Sequence, residues 1–135
     1  MQNRSLVKDY IERAGHRIAA LDTLYDRGAW ADVVRESQEV VELALKALLR
    51  SASIEPPRIH DVSEILSKNK ELFSLEVQKD LKRMSEISRS LRRDRELAFY
   101  GSEDLTPSEF YKKEDADQAR ADARWLVESL TKDLF

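Results

Sequence analysis

Cysteine is absent from this 135-residue chain, and glycine and proline occur only three times each. The first absence excludes a disulfide scaffold, a thiolate nucleophile and every cysteine-ligated metal site. The second leaves few of the residues that antiparallel sheets use for their turns, so helices are expected. Histidine is scarce too: His16 and His60 are the only imidazoles. No apolar run approaches the roughly 20 residues of a membrane-spanning helix. No apolar leader follows Met1, so the chain reads as an unprocessed cytoplasmic protein without membrane contact.

What is present is 41% apolar and 36% charged residues with a net charge of only -3. That balance is too apolar and too nearly neutral for a disordered chain. The length suits one domain, residues 1–135, with a continuous core.

Apolar residues recur at helical spacing along most of the chain. Leu6, Ile11, Ala14, Ile18 and Leu21 define a first helix over about 5–25, which Gly28 can stop by taking the left-handed conformation. A wider stripe of Trp30, Val33, Val34, Val40, Val41, Ala44, Leu45, Leu48 and Leu49 predicts a second helix over 29–51, ended before Pro56 and Pro57. Asp61 with Glu64 fits a capping box for a short helix, and Leu72, Phe73 and Leu75 are expected to plug the core. A long helix over about 75–99 follows, carrying Val77, Leu81, Met84, Ile87, Leu91 and Ala98. Thr106, Pro107 and Glu109 spell a helix start. Ala116, Ala119, Ala123, Leu126, Val127, Leu130 and Leu134 define the final helix over 114–133.

The expected fold is all-α: an antiparallel four-helix up-and-down bundle with one additional short helix. Trp30, Trp125, Phe99, Phe110 and Phe135 are read as core or subunit-interface residues.

Chemistry-bearing residues concentrate in RSLRRDREL, positions 89–97. Residues 79–96 hold seven basic and four acidic side chains, whereas 102–135 hold five and nine. Such a basic stretch suits phosphate or nucleic acid, and equally a solvated face paired with acids. At 100 degrees per residue Arg95 falls at the centre of the apolar stripe and Arg92 at its edge, while Arg93 points away. A buried guanidinium needs a carboxylate or ligand oxygens, and Glu39, Glu42 and Asp61 are candidate acids on other segments. Ser37 and Ser88 also lie on apolar faces, where a hydroxyl can bond back to its own helix. His16 sits on a charged flank and is expected to face solvent. His60, beside Asp61 and the double proline, can be fixed by a rigid loop. No phosphate loop, metal-ligand spacing or serine elbow occurs, so neither a metal nor a cofactor is expected.

The strings ADVVRESQEVVELALKALLR, PPRIHDVSEIL and RRDRELAFYGSED, in this order, resemble the HEPN domain, a small helical bundle named for higher eukaryote and prokaryote nucleotide binding. The resemblance covers roughly residues 5–131. It implies a homodimer and, for many prokaryotic members, a minimal nucleotidyltransferase partner in a toxin–antitoxin pair. Active HEPN ribonucleases use an Arg followed four to six residues later by His, paired across the dimer, without metal. Here the matching segment begins at Arg92, Arg93 or Arg95, and no His follows. Tyr100 stands in reach, but a phenol with an ordinary pKa of about 10 is a poor base at neutral pH.

The resemblance therefore implies a non-catalytic binding module, with Arg92, Arg95 and Tyr100 around nucleotide, phosphate or RNA. Glu42, Ser37, Ser88 and His60 are the supporting polar candidates. The alternatives are a ribonuclease of altered motif and a purely structural dimerisation protein.

Overall fold

The computed structural model describes residues 4–59, 61–100 and 106–135, with 91–100 as backbone only. Among the described residues six α-helices follow one another: α1 (Arg4–Asp26), α2 (Trp30–Ser51), α3 (Ser63–Lys68), α4 (Leu75–Tyr100), α5 (Pro107–Phe110) and α6 (Lys113–Leu134). A 3-10 turn, Lys70–Leu72, joins α3 to α4. The four long helices form the up-and-down bundle that the periodicity predicts. The short elements are more numerous than the single one expected, because the segment before α6 closes into α5. There the Thr106 hydroxyl accepts from the Glu109 N–H, and the Glu109 carboxylate accepts from the Thr106 N–H, both at 3.3 Å.

Cross-helix polar pairs fix the directions. Arg17 donates to Glu36 at 2.5 Å while the Arg50 guanidinium lies 5.8 Å from the Tyr10 ring, so α2 runs antiparallel to α1. Tyr25, near the end of α1, donates to Asp117 near the start of α6 at 2.5 Å. Arg83 on α4 pairs with Asp122 on α6 at 3.9 Å, and its guanidinium lies 3.8 Å from the Trp125 ring.

The wide apolar stripe makes α2 the hub. It packs against α1, α4 and α6, and twelve of its twenty-two residues are buried. Valines at positions 33, 34, 40 and 41 lower helix propensity by a few tenths of a kcal/mol each. Burying a Val or Leu side chain returns about 1.5–3 kcal/mol, so packing decides the conformation. Val77, Leu81, Met84 and Ile87 supply the α4 side of the core, and Ala116, Ala123, Leu126, Val127 and Leu130 the α6 side.

Both ends of the α1–α2 hairpin close by the same device. At α1 the Gly28 N–H donates to the Tyr25 carbonyl and the Ala29 N–H to Leu24; at α2 the Ser53 N–H donates to Arg50 and the Ile54 N–H to Leu49. This is the Schellman pattern, which needs a left-handed residue in its middle. Gly28 has φ +69 and Ser53 φ +62. Thus α2 stops at its own cap, several residues before Pro56. Gly28→Ala is expected to destabilise the protein by about 1 kcal/mol, because left-handed backbone is strained for any residue with a Cβ. The effect is conformational rather than steric, since an added Cβ stands 3.7 Å from its nearest neighbour, the Trp30 ring. Ser53→Gly is expected to move thermal stability the opposite way.

Two expectations need correction. Phe73 is buried, but Leu72 and Leu75 are 60% and 74% exposed. Phe73 takes the one inward position at this junction, and the residues on either side turn to solvent. Asp61 and Glu64 do not form the expected capping box: the N-cap of α3 is Val62, and Asp61 instead accepts from the Ser63 N–H at 2.9 Å. Among the aromatics, Trp30 and Trp125 are half-buried against the core, whereas Phe110 and Phe135 stand exposed. The side chain of Phe99 lies outside the described residues.

Candidate functional site

On α4 the buried series Val77, Leu81, Met84 and Ser88 steps by four, three and four residues, so Ser88 occupies an apolar position with a polar atom. Its side chain is fully buried. The hydroxyl does not bond back to its own helix as expected. It accepts from the Val62 N–H at 2.8 Å and donates to the Asp61 carboxylate at 3.2 Å. One oxygen of Asp61 thereby receives both Ser88 and the Ser63 N–H. This clasp fastens the entry of α3 to α4 immediately before the arginine row, whose first member, Arg89, is exposed.

Partial burial raises the Asp61 pKa, but hydrogen bonds from Ser63 and Ser88 and the charge of Arg89 outweigh it. The carboxyl stays below its ordinary 3.8. A depressed carboxylate contributes stability above its unfolded-state pKa and loses that contribution as pH falls through the folded value. In urea titrations below about pH 4, Asp61→Asn is therefore expected to show a shallower loss of stability than the wild type. Ser88→Ala strands the buried Val62 N–H and removes one donor from Asp61. It is expected to cost about 1–3 kcal/mol and to speed hydrogen exchange at the Val62 amide.

Of the remaining predicted site residues, the two that the structure describes with side chains, Ser37 and Glu42, both lie on α2. Ser37 is buried on α2 and its hydroxyl has no hydrogen-bond partner. Glu42 lies five residues further along the same helix, about 140 degrees around it, and pairs with Lys46 at 3.9 Å. His60 and the side chains of Arg92, Arg95 and Tyr100 lie outside the described residues. His16 faces solvent as expected.

Two features escape the sequence reading. Gln38 is buried with its carbonyl oxygen unpartnered, although its spacing from Val34 and Val41 placed it in phase with the apolar stripe. A polar network also ties the end of α1 to α6. Tyr25 bonds Asp117, the Arg120 guanidinium stacks 3.7 Å from the Tyr25 ring, and Arg120 and Arg124 both reach Asp22. The partners are about 92–102 residues apart, beyond any helical period. An open groove of about 500 Å³ lies beside Arg4, Lys8 and Phe135, between the start of α1 and the end of α6. Its described lining residues belong to α1 and to the end of the chain, and none to α4.

Among the described residues no group of His, Asp or Glu is arranged to hold a metal ion, and no helix is long and apolar enough to cross a membrane. A helical bundle whose fourth helix ends in an arginine row, clasped at its root, matches the order of elements that the three strings implied. The family model of the HEPN domain matches residues 7–134, and the chain belongs to that family. Comparison with curated proteins and with solved structures finds no match.

Proposed function

We propose that this chain is a one-domain, non-catalytic HEPN module of the cytoplasm. In this reading it pairs with a second copy of itself and uses the basic half of α4 to bind a nucleotide or another phosphate-bearing ligand. Arg92 and Arg95 supply forked guanidinium donors, which match phosphate oxygens in pairs. Tyr100 supplies a hydroxyl or a stacking ring. Ser88 on the same helix, with Glu42, Ser37 and His60 on other segments, are the supporting polar candidates of this reading. A minimal nucleotidyltransferase is the proposed protein partner, in a toxin–antitoxin-like pair.

One observation carries the non-catalytic reading: no histidine follows the arginine row. The resemblance to HEPN ribonucleases requires an imidazole four to six residues after the arginine, as the group that moves the proton of the attacking hydroxyl. Membership of the family and the local basic excess support the binding half of the proposal.

Calorimetric titration with ATP and with inorganic phosphate tests it. Saturable binding by the wild type, lost in Arg95→Ala, is the expected result. Heats no larger than dilution for both ligands count against it. Sedimentation of the free protein and of its mixture with the nucleotidyltransferase tests the two assembly claims.

A further inference from the structure

The open groove between the start of α1 and the end of α6 has two unlike walls. Along α1, Arg4 and Lys8 stand four residues apart and therefore on one face, about 6 Å from each other along the axis. Ile11, nearly one turn further and buried in the core, adds an apolar floor. On the other side stand Thr131 and Phe135. The Thr131 hydroxyl donates to the Val127 carbonyl of its own helix at 2.7 Å, so this wall presents chiefly the Phe135 ring, which is half exposed. The cationic wall is under-compensated. Glu12 is the one acid among the described lining residues and lies 3.9 Å from Lys8, while Arg4 makes no ion pair with a described residue. Like charges four apart on a helix destabilise it slightly, and an arriving pair of carboxylates relieves that repulsion.

We propose that this groove docks an acidic amphipathic helix of a partner protein, with carboxylates one turn apart against Arg4 and Lys8 and an apolar side chain between Ile11 and Phe135. A volume of about 500 Å³ takes a few side chains. The groove lies open along two helix ends, a shape in which a helix is laid, unlike the enclosed pocket that buries most of a small ligand. A lipid surface asks for a broad apolar face, and Phe135 is the one large apolar side chain of the described lining that is exposed. The sign of the charge selects an acidic partner, and Glu12 closes the cationic row, so carboxylates are accepted at its first two positions and opposed at the third. None of the described lining residues belongs to α4, so this docking is independent of the phosphate-binding reading.

A labelled synthetic peptide of about 14 residues, long enough for a marginal helix, carries glutamates at i and i+4 on one face and leucines on the other. It is titrated with the full chain and followed by fluorescence anisotropy. Saturable binding that weakens as salt is added is the expected result. Arg4→Ala with Lys8→Ala is expected to weaken it about tenfold and Phe135→Ala about fivefold, whereas Glu12→Gln is expected to tighten it about twofold. Arg4→Glu with Lys8→Glu is expected to reverse the preference and bind the same peptide with lysines in place of glutamates, a gain that a loss of fold does not produce. No saturable binding, undiminished binding by the Arg4→Ala, Lys8→Ala variant, or equal binding of the lysine peptide by the wild type overturns the proposal. So does binding of the wild type to phosphatidylglycerol vesicles without binding to the peptide, which assigns the groove to a lipid surface. Each of these results leaves the phosphate-binding reading standing.

Discussion

Leu45→Ala is expected to lower the unfolding free energy by about 2–5 kcal/mol. Leu45 is 1% exposed on α2, the helix that packs against all three other long helices, and its neighbours Val41, Leu48 and Leu49 are all buried. A cavity there cannot collapse easily, since its walls belong to several helices held by their own contacts. Small domains have only about 5–15 kcal/mol of stability, so the variant loses a large share of the total. Urea unfolding checks this: the midpoint shifts to lower urea with an unchanged slope, the sign of lost stability rather than altered compactness. A loss below about 1 kcal/mol, the level of a typical surface or peripheral change, contradicts the placement of α2 at the centre.

The second large effect concerns ligand affinity. Replacing both Arg92 and Arg95 by Ala is expected to weaken nucleotide or phosphate binding by at least about tenfold per arginine, because each charge-assisted hydrogen bond contributes about 1.5–3 kcal/mol. The same pair changed to Lys retains the charge and loses the forked geometry. If the guanidinium forks matter, the Lys variant falls between wild type and the Ala variant. If only local charge matters, it binds as the wild type does. Thermal unfolding is measured alongside, so that a loss of fold is not read as a loss of site.

The long helices were legible because each is long enough for its apolar period to repeat several times, and α2 most of all. The capping box at Thr106 was legible because it is a local hydrogen-bond pattern written in four consecutive residues. Ser53 was not, since its left-handed backbone follows from the closure of α2 and no glycine marks it. Leu72 and Leu75 misled for the opposite reason: hydrophobicity alone does not tell which of three neighbours a tight turn directs inward. In the site, the anomaly of a serine on the apolar face of α4 was visible, but its partners were not. The Ser88 clasp joins residues 26 and 27 positions apart, and the Tyr25 network spans far more, so neither follows from the period of one helix.

The most direct test of the central claim incubates a labelled RNA oligonucleotide with the purified protein in the presence of a chelator, reading binding and cleavage in the same sample. The account predicts saturable binding, weakened by added salt and by Arg92→Ala with Arg95→Ala, with the oligonucleotide intact throughout. Cleavage that disappears in Arg95→Ala or Tyr100→Phe contradicts it and establishes a ribonuclease of altered motif in its place.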